Sequence, residues 1–84
     1  MEAKAEAFAE EAIRAVGRRD VAAARIAVAQ AYDLDHALAA MVDAVYLACA
    51  ELEEEGGMSI STWNGLADAV PTETLLAVVE SSRP

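Results

Sequence analysis

Several residue types are nearly missing from this chain, and each absence excludes a class of chemistry. Cys49 is the only cysteine, so no internal disulfide can form. It lies among apolar residues with nothing basic close in sequence to lower its pKa, so it reads as a buried, inert thiol. His36 is the only histidine and Lys4 the only lysine. No glycine-rich phosphate loop or Walker-type lysine occurs, and Gly56-Gly57 alone is not a phosphate signature. Proline is absent before Pro71, and glycine occurs only at 17, 56, 57 and 65. No sustained alternation of apolar and polar residues marks a strand. No apolar run is long enough to span a bilayer, and the longest carries Asp43.

What remains is an alanine-rich chain with long stretches free of proline and glycine, which is helix composition. Eighty-four residues make one domain with a modest core. The expected fold class is all-α: a small bundle of three main helices, closed by one or two short C-terminal helices. The three-helix core spans residues 1–55. A short helical unit over 58–82 follows a Gly-Gly hinge.

The central element is expected over residues 34–55. Leu34, Leu38, Met41, Val42, Val45, Ala48, Cys49 and Leu52 recur at three-and-four spacing and form one stripe. Ala39, Tyr46 and Ala50 fall on a second face and Leu47 on a third. A helix apolar on most sides calls for neighbours on most sides.

The first helix is expected from Glu2 to Val16, burying Ala5, Phe8, Ala9, Ala12, Ile13 and Val16, with Gly17 as its left-handed stop. Asp20 reads as the N-cap of a second helix over Val21–Tyr32. This helix is mostly small residues, with Val21, Ala22, Arg25, Ile26, Ala29 and Tyr32 roughly on one side and Ala24, Val28 and Ala31 on another. Asp33 or Asp35 caps the next helix. Gly17, Ala22, Ile26 and Ala29 stand at the small and apolar positions of the second half of a tetratricopeptide unit, so Ala12 to Leu34 resembles one. Leu34 stands where that pattern wants proline, the first-helix aromatic signature is missing and no repeat follows. The resemblance is therefore one of generic helix-hairpin chemistry. Beyond the hinge, Ser59 or Ser61 caps a short helix carrying Trp63, Leu66, Ala67 and Val70. Pro71-Thr72-Glu73 opens the last one. Trp63 reads as a core anchor that clamps this unit onto the central helix, with room for a small-molecule pocket where the two meet.

No catalytic, cofactor or metal site emerges. Asp33 and His36 offer two ligands at i,i+3, but no second His or clustered Cys completes a set. Asp43 lies two turns from His36, about 11 Å of rise away. His36 reads as an exposed residue of a helix's first turn. Cys49 and His36 stand far apart on one helix, so no nucleophile and base meet within the chain. The chain is expected not to be an enzyme.

Charge is distributed unevenly. Residues 1–25 hold five acids and five bases, whereas residues 26–84 hold ten acids and only Arg83, which accounts for the whole formal charge of −9. Such a surface repels nucleic acid and anionic membrane at long range. The residues 66–80 have the general size of a helix-turn-helix, but its second helix has no Lys or Arg to meet phosphate. No basic-apolar leader opens the sequence, and a cytoplasmic protein of acidic bacterial type is expected.

These features point to a non-catalytic protein–protein interaction or regulatory protein whose first partner is itself, as a homodimer. The expected interface residues are Tyr46, Leu47, Ala50 and Trp63. The corner at Arg14, Arg18, Arg19 and Arg25 is expected to meet Glu53, Glu54 and Glu55 of a neighbour. Two alternatives remain: an acidic adaptor for a basic protein partner, and a nucleic-acid-associated factor with a degenerate helix-turn-helix-like C-terminal unit that uses the arginine corner.

Overall fold

The computed structural model describes residues 3–81, and the chain is an all-α bundle. Its helices are α1 (Ala3–Gly17), α2 (Val21–Leu34), α3 (Ala39–Glu55), α4 (Ile60–Ala69) and α5 (Thr72–Ser81), with a 3-10 turn at His36–Leu38. Glu2, at the expected start of the first helix, lies outside the described residues.

The helices α1 and α2 form the most intimate pair, and small side chains are the reason. Ala5, Ala9, Ala12 and Ala15 of α1 are fully buried, as are Ala24 and Ala31 of α2. Alanine at three-and-four spacing lets two backbones approach closely. The turn between them is a Schellman motif. The Asp20 amide donates to the Ala15 carbonyl at 2.9 Å, and the Arg19 amide to that of Val16 at 3.0 Å. Arg19 takes the left-handed conformation, with φ 62°. The expected stop at Gly17 is therefore displaced: Gly17 completes α1, and the strained position falls two residues later on a side chain that disfavours it. Asp20 caps α2, its carboxylate accepting from the Ala23 amide at 3.1 Å.

The expected helix over 34–55 also starts later. Leu34 ends α2, and Asp35 turns the chain out with φ −146° and ψ 97°. The Asp35 carboxylate then accepts from the Ala37 amide at 3.1 Å and opens the 3-10 turn. A side chain bonding its own backbone two residues on competes with helix continuation, which is why the pattern breaks there. Leu34 is exposed on the α1–α2 side and is no part of the central stripe. From Leu38 onward the stripe behaves as expected: Leu38, Met41, Val45, Ala48 and Cys49 are buried.

The helix α3 packs between α2 and α4 and touches α1 lightly; α5 returns to α1. Gly56 ends α3 in the left-handed region, φ 76°, with its amide on the Leu52 carbonyl at 3.1 Å. Ser59 caps α4, its hydroxyl accepting from the Thr62 amide at 3.1 Å. Val70 is extended, as the residue before Pro71 must be. The Pro71 carbonyl then accepts from the amides of Thr74 and Leu75, which starts α5. Leu66 and Val70 join the same buried cluster as α1, α2 and α3, so the C-terminal helices pack on their own chain.

Candidate protein-interaction surface

The phase of α4 decides where Trp63 goes. Because Ser59 caps the helix, Thr62 and Leu66 occupy its buried positions. Trp63 lies about 100° round the helix from Thr62 and is 50 % exposed. The expected core anchor is thus a correction: the indole does not clamp α4 onto α3. It borders an open groove of about 520 Å³ between the C-terminal half of α1, α4 and α5, with Ile13, Val16, Leu75, Val78 and Val79 as its apolar walls. The cavity beside Trp63 faces α1 and α5, and not the central helix.

Arg14 and Arg18 also line this groove. Each is held by carboxylates of its own chain. Arg14 bonds Glu10 at 3.2 Å and the Ser81 hydroxyl at 3.0 Å. Arg18 bonds Glu11 at 2.5 Å and lies 3.9 Å from Asp20. The bond to Glu11 holds the Arg18 guanidinium above its ordinary pKa. Arg19 has no ion pair among the described residues.

A second surface is the outer face of α3. Tyr46 is 44 % and Leu47 54 % exposed, and Ala50 is half-buried beside them. Glu53 is spoken for: Arg25 reaches across from α2 and bonds it at 2.5 Å. Glu54 and Glu55 are exposed and have no ion pair among the described residues. Of the expected charged corner and acidic end, one pair therefore meets within the chain, and Arg25 is separated in use from Arg18 and Arg19.

Glu51 is a functional residue of the fold that sequence reasoning missed. From the last turns of α3 its carboxylate accepts the Ser59 amide at 3.0 Å and the Thr62 hydroxyl. The amide first and the hydroxyl second hold the Glu51 carboxyl below its ordinary pKa. This bridge locks the start of α4, and hence the position of Trp63, to α3.

Cys49 is fully buried, and its thiol is 3.8 Å from the Val21 carbonyl. Burial raises its pKa, Arg25 lowers it, and burial is the larger effect. His36 is exposed and stacks on Tyr32, with ring centroids 4.8 Å apart. No group of three or more His, Cys, Asp or Glu residues able to hold a metal ion occurs among the described residues. No described helix is long and apolar enough to cross a membrane.

Compared with protein-family models, with curated proteins and with solved structures, the chain has no match.

Proposed function

We propose that this chain is a non-catalytic protein–protein interaction or regulatory protein that works as a homodimer. One observation carries the reading. An 84-residue chain leaves Trp63, Val79, Tyr46 and Leu47 each about half exposed or more, grouped on the groove and on the outer face of α3. Grouped exposed apolar side chains mark interaction surfaces, whereas scattered ones do not. Covering a large apolar side chain contributes on the order of 1.5–3 kcal/mol, and two-fold dimers are the commonest closed assembly.

The test is mass by light scattering after size exclusion, over a range of protein and salt concentrations. A mass near twice the 8.8 kDa of one chain, retained at high salt, is expected. A mass of one chain at every concentration would refute self-association.

The acidic-adaptor reading has its own support in Glu54 and Glu55, which no basic residue of the described chain engages. Capture by a basic protein that disappears in the Glu54→Gln, Glu55→Gln double variant would favour it. The nucleic-acid reading has less support, since Arg14, Arg18 and Arg25 are each bonded to a carboxylate of the chain.

A further inference from the structure

We infer that α5 is a detachable strap: it leaves α1 as a unit, turning at Pro71, while α1 to α4 stay folded, and so covers or bares the apolar side of α1 at Ile13 and Val16. The device belongs to the single chain and holds whether or not the chain self-associates.

The helix α5 is seated off its own apolar face. Its large apolar residues are Leu75, Leu76, Val78 and Val79. At about 100° per residue they centre between Leu75 and Val79, about a third of a turn from Thr74. Yet Thr74 is the one buried side chain of the helix. Leu76 and Val79, neighbours at i,i+3, are 56 % and 54 % exposed, and Leu75 and Val78 are only partly buried. Each of the other four α-helices buries at least one apolar side chain. In α4, which also buries a threonine, the Thr62 hydroxyl donates to Glu51 and accepts from Ser59. The Thr74 hydroxyl has no partner among the described residues. The seat therefore withholds from α5 both things that fix a helix, an apolar stripe in the core and partners for buried polar atoms.

The attachments are correspondingly slight. Of the other helices only α1 packs closely on α5. At the far end Arg14 of α1 donates to the Ser81 hydroxyl at 3.0 Å, an exposed contact for which water competes. At the near end Val70 is extended and buried in the common cluster, which anchors the chain up to that residue. Pro71 follows, so the joint falls there. Departure of α5 leaves the packing of α1 on α2, of α2 on α3 and of α3 on α4 in place. Elements with few buried apolar contacts open below the free energy of global unfolding. Ten residues are too few to hold a helix alone in water, so α5 unwinds as it leaves. Ile13 and Val16 share their groove with Leu75, Val78 and Val79, and with α5 gone that side of α1 is bare.

Amide hydrogen exchange of the unaltered chain, followed by NMR without urea and at urea concentrations below the unfolding transition, tests the strap. The amides of Leu76 to Glu80 are expected to share one opening equilibrium. It should lie at least about tenfold further toward the open form than that of Val45 to Cys49 in α3, and respond little to urea. Thr74→Val is expected to reduce the α5 opening by about fivefold or more at every one of those amides. Three results would overturn the proposal. If α5 and α3 share one opening equilibrium and one urea slope, α5 is an integral part of the core. If protection falls away gradually toward Ser81, the helix end only frays. If Thr74→Val leaves the α5 opening unchanged, the buried hydroxyl does not weaken the seat.

Discussion

Thr74 offers a sharp test of how the C-terminal helices are packed. Its side chain is fully buried in the first turn of α5, and its hydroxyl has no hydrogen-bond partner among the described residues. A hydroxyl removed from water without a partner costs about 1–3 kcal/mol. Valine has nearly the same shape, and its helix propensity is close to that of threonine. Thr74→Val should therefore remove the penalty while keeping the packing, and stabilise the chain by about 1–2 kcal/mol. In urea, with a slope near 1 kcal/mol per molar for a small chain, the midpoint should rise by about 1–2 M at unchanged slope. Thr74→Ser makes the opposite change, keeping the hydroxyl and deleting a buried methyl, and should cost about 1 kcal/mol. If Thr74→Val is neutral or destabilising, the reasoning fails. In that case the hydroxyl is satisfied in solution, by a buried water or by the Val70 carbonyl one turn back.

Three further changes read other parts of the fold. Arg19→Gly places glycine at the left-handed residue of the α1–α2 turn and should stabilise by about 1 kcal/mol, seen as a rise in Tm; a fall would mean the arginine side chain matters more than its backbone. Gly65→Ala puts a methyl into open space within α4 and should stabilise by about 0.5–1 kcal/mol in the same assay. Glu51 is held below its ordinary pKa, so its contribution is complete above the unfolded value, about pH 4.3, and is lost as pH falls through the folded one. Urea midpoints from pH 6 to pH 2 should drop less steeply for Glu51→Gln than for the unaltered chain, and parallel curves would count against the bridge to Ser59.

Patterns local to one helix were legible in the sequence. The buried residues of α3 follow from their spacing, and the Asp20 cap of α2 follows from its place before the helix. The phase of α2 was not. Its residues are nearly all small or apolar, so the sequence left two faces open; Ala24, Ala27, Val28 and Ala31 turn inward, and Ile26 turns out. The exit of α2 at Asp35 depends on one carboxylate choosing its own backbone. Glu51 was invisible because its partners lie eight and eleven residues on, across a chain reversal. Arg25 and Glu53 are twenty-eight residues apart, and only the packing of α2 on α3 brings them together. Trp63 shows the commonest trap. Size and hydrophobicity suggest burial, but the Ser59 cap sets the helix phase, and Thr62 takes the inward place.

The most direct test of the proposed assembly is the emission of Trp63, the only tryptophan, followed from micromolar dilution to the highest attainable concentration. Trp63 is half exposed in the single chain and borders the groove that self-association is proposed to cover. Emission should move to shorter wavelength and acrylamide quenching should fall as dimer forms, and dilution should reverse both. An unchanged spectrum and unchanged quenching across a range where the mass doubles would place the interface elsewhere and contradict the account.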